Sequence, residues 1–267
     1  MKIVLWIGSG ANQKALAKKI HQEFLIAGII VENRKQSRKL SLSKLVEKGV
    51  EKVFLGAISK AWWAMQKKYN DRYPNYPDTK ILEVENINSD EAFAFTNEIN
   101  PTLIIVSGTR LVKEKMLSIK PGIGILNLHT GLSPYIKGGP NCTNWCIATK
   151  QFHLIGNTVM WIDIGIDSGN ILTTGFTGFD RKEGQGEVHM KVMEHAHDLY
   201  LRSIRYLAGG NFKSVKQSDI AKGTTYYTRS WTLKQKINLI RNMPAFRKSI
   251  LNGETLKKQQ TVRIEPL

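Results

Sequence analysis

The sequence predicts an α/β protein: a doubly wound, mostly parallel twisted sheet followed by a small C-terminal α+β appendage. Three observations carry this. Short apolar runs alternate with longer amphipathic stretches along the first 150 residues, the arrangement of βαβ units whose helices cover a sheet. Two of the runs, TLIIVSG (102–108) and IGILNLH (123–129), are the strongest candidates for buried strands, with LIIV and IL-x-L at their centres. After residue 150 the rhythm changes: two apolar runs are joined by a tight glycine-bearing connection and followed by one long helical stretch.

The elements follow in order. KIVLWIG (2–8) reads as the first strand, and ANQKALAKKIHQEFLIAG (11–28) as a helix with Ala15, Leu16, Ile20 and Leu25 on its inner side. GIIVEN (28–33) is the second strand. Residues 40–69 are expected to be helical, with VFLG (53–56) able to form a short strand inside them. KILEVEN (80–86) is strand-like, and Ser89, backed by Asp90 and Glu91, starts the helix SDEAFAFTNEIN (89–100). TLIIVSG and IGILNLH come next. GNTVMWIDIG (156–165) and NILTTGFTGF (170–179) are two further strands, and a long helix spans about 185–208. Then come NFKSVKQ, a turn at Lys222-Gly223, TTYYTRSW, and a helix near 232–242 expected to end before Pro244. The boundary between a core, 1–210, and the appendage, 211–267, falls at Gly209-Gly210.

Composition narrows the class. With 42% hydrophobic and 23% charged residues in 267, the chain is of the soluble globular type. No apolar run approaches the roughly 18 residues that cross a bilayer, so no membrane partner is expected. MKIVLWIG is too short for a signal peptide and reads better as a buried strand. Cys142 and Cys146, four apart in a helical stretch, are neither a disulfide framework nor enough ligands for zinc; they read as small buried residues of a cytoplasmic protein, and no metal is expected. The net charge is +17, and residues 211–267 hold 12 Lys/Arg against Asp219, Glu254 and Glu265. That basic segment suits an anionic partner such as a nucleotide, RNA or a membrane surface, and equally a well-solvated surface.

ILNLHTGLSPYIKGG (125–139) carries the chemistry. Strand alternation points Asn127 and His129 to one side, at the carboxyl end where ligands bind in such sheets. A satisfied core pair would show the same pattern. Asp163-Ile164-Gly165-Ile166-Asp167-Ser168-Gly169 adds two carboxylates after another hydrophobic strand. An amide, an imidazole and a carboxylate could thus be neighbours, with the carboxylate favouring an imidazolium, and amide and imidazolium able to hold an oxyanion. No serine or cysteine offers itself as a nucleophile beside them, which points to attack by the substrate and to acyl transfer onto an amine.

These residues resemble the folate-dependent formyltransferases, the group of methionyl-tRNA, glycinamide ribonucleotide and amino-sugar enzymes. The family's Asn-x-His motif appears as Asn127-Leu128-His129, its Ser-Leu-Leu-Pro-x-Tyr-Arg-Gly-like loop as Gly131 to Gly138, and its Gly-x-Thr…Asp-x-Gly-Ile-Asp-x-Gly segment as GNTVMWIDIGIDSG, from Gly156 through Thr158, Asp163 and Asp167 to Gly169. The match covers about residues 1–210. Gly131, Ile136 and Lys137 depart from the family's usual Ser, aromatic and Arg. GTTYYTRSW (223–231) looks like the family's linker after the core, and the roughly 25 residues beyond the following helix are too few for the β-barrel usual in the tRNA enzymes.

The resemblance implies a Rossmann-like core, 10-formyltetrahydrofolate as formyl donor, no metal, and Asn127, His129 and Asp167 in the catalytic positions. It implies folate contacts at Thr109, Arg110 and Leu111 and at Asp163, Ile164 and Gly165. Asn127 and protonated His129 would stabilise the oxyanion formed when a neutral amine attacks, while Asp167 keeps His129 charged and assists loss of the amine proton. For the acceptor, Gly8, Ser9, Gly10 and Asn12 form a glycine-rich turn before a helix that could cradle a phosphate or be only a tight connection. Lys137 and Gly138 are further candidates. The first choice of acceptor is a nucleotide-linked amino sugar, with tRNA and glycinamide ribonucleotide as alternatives; a homodimer is compatible with the chain.

Two more clusters stand out. His195, His197 and Asp198 look like metal ligands, but residues two apart on a helix do not share a face. Trp62, Trp63 and Tyr69 among Lys60, Lys67 and Lys68 could stack a base, although a helix packing its aromatics inward explains them better.

Overall fold

The computed structural model describes residues 1–34, 56–180 and 182–267. A seven-stranded sheet forms the centre, built from β1 (Ile3–Gly8), β2 (Ile26–Glu32), β3 (Ile81–Val84), β4 (Leu103–Ser107), β5 (Gly124–His129), β7 (Gly156–Trp161) and β8 (Ile171–Phe176) in the order β3-β2-β1-β4-β5-β7-β8. The first five are mutually parallel. β7 runs antiparallel to β5, and β8 antiparallel to β7. The sheet is thus mostly parallel, and the doubly wound α/β expectation holds. A short β6 (Ile136–Gly138) pairs in parallel with β9 (Thr224–Tyr226) outside it.

The apolar strands are explained by helices on both faces. In β1, Ile3, Leu5 and Ile7 join one cluster with Leu16 and Ile20 of α1 (Ala11–His21), to which Ala196, Leu199 and Ile204 of the long helix Gln185–Ala208 belong. Val4 and Trp6 point the other way, into a cluster with Ala92 and Ile99 of the helix Asp90–Ile99. Numbered in chain order, the helices are α1, α2 (Gly56–Arg72), α3 (Asp90–Ile99), α4 (Glu114–Leu117), α5 (Cys142–Ala148), α6 (Gln185–Ala208), α7 (Leu233–Leu251) and α8 (Glu254–Gln259). Ser89 caps α3 as expected, its side chain accepting from Ala92 N–H.

Three local expectations need correction. The first helix ends at His21, Leu25 is 69% exposed rather than inward, and β2 begins at Ile26, because the chain turns at Gln22–Phe24 to enter the sheet beside β1. The stretch 40–69 is described only from residue 56, where α2 starts; most of VFLG lies outside the described residues. The helix expected to stop before Pro244 continues to Leu251. An interior proline costs about 3 kcal/mol. Burial of Leu239, Met243 and Phe246 against α5 and its surroundings offsets that, at ~1.5–3 kcal/mol for each side chain. Asn242 Nδ2 fixes the helix further by donating to the carbonyls of Ile147 and Ala148 at 3.0 Å each.

One side chain locks the sheet behind the site. Fully buried Tyr200 of α6 donates its hydroxyl to Leu126 O at 2.8 Å and accepts from Val106 N–H at 3.1 Å, joining β5 and β4 just before their carboxyl ends. Tyr200→Phe would leave that N–H and carbonyl without this partner, and the expected loss is ~1–3 kcal/mol of unfolding free energy in a denaturant titration. An unchanged midpoint would show that the sheet closes there without the hydroxyl.

Candidate active site

Most of the polar residues singled out by the sequence gather beyond the carboxyl ends of β1, β4 and β5, around a cavity of about 1550 Å³. Single-ligand pockets typically run to ~300–1,000 Å³, so this one can hold two partners side by side. The central position of β5 makes its end rigid: β4 flanks it on one side, and on the other Asn127 lies opposite Met160 and His129 opposite Thr158. Thr158 secures the turn beyond His129, its hydroxyl donating to Gly131 O at 2.7 Å and accepting from Ser133 N–H at 2.8 Å.

His129 and Asp167 meet. The imidazole Nδ1 is 3.3 Å from Asp167 Oδ2, with both side chains largely buried. Asp167 adopts a left-handed backbone (φ +48°), a region that aspartate tolerates better than most residues. The turn is braced by Gln217, whose Nε2 donates to the carbonyls of Asp167 and Gly169 at 2.8 Å each. Gly138 N–H donates to Asp167 Oδ2 at 2.9 Å. Gly138 has φ +83°, and a Cβ there would overlap the Tyr226 carbonyl, so no other residue fits this contact.

The other imidazole nitrogen also faces an acceptor, the Ile136 carbonyl, 3.2 Å from Nε2. A carboxylate at one nitrogen and a carbonyl at the other leave only the doubly protonated ring satisfied. Burial opposes that charge, but Asp167 outweighs it and raises the imidazole from its ordinary 6.5 to about 10. A raised histidine contributes stability that is fully present below about pH 6.5 and is lost as pH rises through about 10. Geometry and charge thus both favour the protonated ring at neutral pH.

Asn127 differs. It is half-buried, lines the cavity, and its amide makes no hydrogen bond to a described residue, so its N–H groups are open to a ligand. Among the described residues Asp167 Oδ1 is equally open, because both contacts to the carboxylate fall on Oδ2.

Of the other sequence-derived candidates, Thr109, Arg110, Leu111, Asp163, Gly165, Gly8, Ser9, Gly10, Asn12 and Gly138 all line the cavity. Ile164, 64% exposed, and Lys137, opposite Thr225 in the small sheet, do not. The turn Gly8–Asn12 is partly occupied by the protein: Gln66 Oε1 accepts Ala11 N–H at 2.7 Å, and Gln66 Nε2 donates to Asn12 Oδ1 at 2.8 Å. His195 and His197 diverge, one to Asn157 and Thr177, the other to Lys19.

Sequence reasoning missed several residues. Fully buried Glu32, at the end of β2, pairs with the Arg34 and Arg110 guanidinium groups and accepts from the N–H groups of Ile87 and Arg110; burial pushes its carboxyl up, but the Ile87 N–H, Arg34 and the Arg110 N–H together hold it low. It anchors the loop Thr109–Leu111. An acid closing the apolar run IIVE was the available signal. Sequence reasoning expected no cysteine nucleophile beside the histidine and did not foresee Cys142 there: its Sγ is 3.5 Å from His129 Nε2, because the loop after β5 folds back and brings α5 over the ring, and burial pushes that thiol up. Trp63 is 67% exposed on the cavity wall, whereas Trp62 is half-buried and Tyr69 buried as expected.

Comparison with known proteins gives the geometry a context. The formyl transferase family model matches residues 1–204. The chain is 31% identical over 141 residues to a methionyl-tRNA formyltransferase of Clostridium tetani, covering 52% of this chain and 45% of that protein. It is 32% identical over 156 residues to that of Clostridium botulinum, covering 58% and 47%. The chain thus spans about half the length of the curated relatives it matches. In fold it is similar to a sugar N-formyltransferase from Shewanella, with a TM-score of 0.58 at 16% identity over 91% of this chain and 88% of that one. It is also similar to glycinamide ribonucleotide transformylase 1 from Symbiobacterium toebii, with a TM-score of 0.56 at 17% identity over 81% and 92%. With three-quarters of its length under the family model and the family's fold around Asn127, His129 and Asp167, the chain belongs to the formyl transferase family.

Proposed function

We propose that the protein transfers a formyl group from 10-formyltetrahydrofolate to a primary amine, and that the amine belongs to a nucleotide-linked amino sugar. The observation that carries formyl transfer is the Asn127 amide, without a partner among the described residues, on the same strand end as a His129 whose charged form is favoured, in a cavity large enough for donor and acceptor together. Asn127 donates an N–H to the formyl oxygen as negative charge develops there, and His129 adds its positive charge. Preorganised donors of this kind are worth ~2.7–4 kcal/mol each. Asp167 Oδ2 keeps His129 protonated, while Oδ1 takes the proton that the amine loses as its nitrogen bonds to the formyl carbon and the donor's C–N bond breaks, directly or through water. The donor nitrogen gains a proton in exchange. Backbone groups of Thr109–Leu111, held by Glu32, and of Asp163–Gly165 are the proposed folate contacts. We assign residues 1–210 to the catalytic core and 211–267 to a basic appendage; the latter contributes Gln217 beneath Asp167 and Tyr226, Tyr227 and Thr228 to the cavity wall.

The acceptor reading rests on Trp63 and Lys67, an exposed indole and an ammonium on the same wall. An indole face stacks on a base for ~1–3 kcal/mol. Lys67 pairs with Asp71 at 2.7 Å on the surface, a contact worth only ~0.3–0.5 kcal/mol and easily exchanged for phosphate. A second reading, charged initiator tRNA, is favoured by the sequence relatives and by the excess of cations over 211–267. Folate absorbance followed with amino-sugar nucleotides, charged initiator tRNA and glycinamide ribonucleotide in turn separates them. The expected result is turnover with an amino-sugar nucleotide, with Trp63→Ala raising KM for that acceptor about tenfold at unchanged kcat, the order of one lost base stack. Turnover with tRNA alone would replace the acceptor, and none with any amine would reject formyl transfer.

A further inference from the structure

We infer that Cys142 is a positioning residue for His129, closing a ring of four groups that holds the imidazole in place. The ring can be followed atom by atom. His129 Nδ1 contacts Asp167 Oδ2 at 3.3 Å, and Oδ2 accepts Gly138 N–H at 2.9 Å. The Gly138 carbonyl accepts the Cys142 S–H at 3.4 Å, and Cys142 Sγ returns to His129 Nε2 at 3.5 Å. The thiol hydrogen is thus spent on Gly138, which leaves sulfur lone pairs toward Nε2–H. That N–H is shared between Sγ and the Ile136 carbonyl at 3.2 Å.

Direction and room agree with this role. Burial pushes the Cys142 thiol up, so it stays neutral and keeps the hydrogen it donates. Among the described residues the groups facing the nitrogens of His129 are acceptors, and the titratable groups packed about the ring are Asp167 from the loop after β7 and Cys142 from α5, with Cys146 one turn further on. Gly131 leaves the space: a Cβ there would overlap His129 Nε2 and lie 2.8 Å from Cys142 Sγ. The turn has given up a side chain so that ring and thiol can touch. Gly138, bonded through its N–H to the carboxylate and through its carbonyl to the thiol, couples the two ends of the ring.

The catalytic consequence rests on the reading that His129 serves formyl transfer; the structural one does not. Cys142→Ala and Cys142→Ser should be compared in two measurements. The first is an NMR titration of the His129 ring in the full chain without substrate, and the second is kcat with KM for 10-formyltetrahydrofolate. Cys142→Ala is expected to lower the titration midpoint of His129 and to cut kcat about tenfold at unchanged folate KM, the order lost with one hydrogen bond to a charged group. Serine, which keeps a donor and an acceptor, should recover most of both. If neither variant moves the titration, the thiol only fills space and the inference is overturned, whatever happens to kcat. If the titration moves in alanine and returns in serine, the ring is real even should no amine prove to be a substrate. Thermal melts of both variants guard against a general loosening; a titration shift that tracks a lowered Tm equally in serine and alanine would also overturn the inference.

Discussion

Asp167→Asn is expected to lower turnover by ~10³–10⁴-fold at pH 7.5, the size of loss seen when a carboxylate that orients a catalytic histidine becomes an amide. The protein supplies its own controls. His189 is buried with no carboxylate beside it among the described residues, and burial takes it down to about 4. His197 falls to about 3, because burial and then the Lys19 ammonium outweigh the upward pull of Glu194. His129 is buried as well, yet stands near 10 because Asp167 is there. Removing that charge should let burial win, and the ring of Asp167→Asn should titrate well below 7, neutral wherever the acceptor amine is free to attack. Acid would recharge the imidazole but also protonate the amine, so no pH restores the rate. The variant's loss of folding stability should be larger at pH 6 than at pH 9.5, since the pair's contribution is lost as pH rises through about 10. Turnover with 10-formyltetrahydrofolate and an NMR titration of the ring check both halves. A ring still charged at pH 8 would mean that something other than Asp167 holds the proton.

How much of this was legible follows from what each feature depends on. β1 and β4 read directly as strands because both their faces meet helices, which forces apolar residues at consecutive positions. Asn127 and His129 read directly because strand period fixes their common side, and Asp167 through its glycine-punctuated motif. Cys142 could not be read. Its contact depends on a loop that reverses over a dozen residues, and the thiol has no spacing signature relative to residue 129. Trp63 was misjudged for a related reason: α2 turns Tyr69 inward and Trp63 outward, and which face is inner depends on where α6 sits. Pro244 breaks a local rule that tertiary burial overrides. Glu32 stood in plain view, a carboxylate ending an apolar strand, but its arginine partners come from separate loops.

Asn127 offers the sharpest remaining test, because its two substitutions should separate donation from shape. Asn127→Ala removes the open N–H and is expected to lower kcat by ~10²–10³, the usual loss for one oxyanion donor. The folate KM should change little, since the bond strengthens only as charge develops on the formyl oxygen. Asn127→Asp keeps nearly the same volume but replaces a donor with an acceptor, aimed where negative charge grows. If Asn127 only shapes the wall, the aspartate variant should outperform alanine. If it donates, aspartate should be worse than alanine, with a further drop as pH rises and the new carboxylate ionises. Combining Asn127→Ala with Asp167→Asn should cost less than the product of the single losses, because amide and imidazolium act on one oxygen and neither is worth its full amount alone. Losses that simply multiply would place the two side chains at different steps, and the charged ring would then have to serve something other than the formyl oxygen.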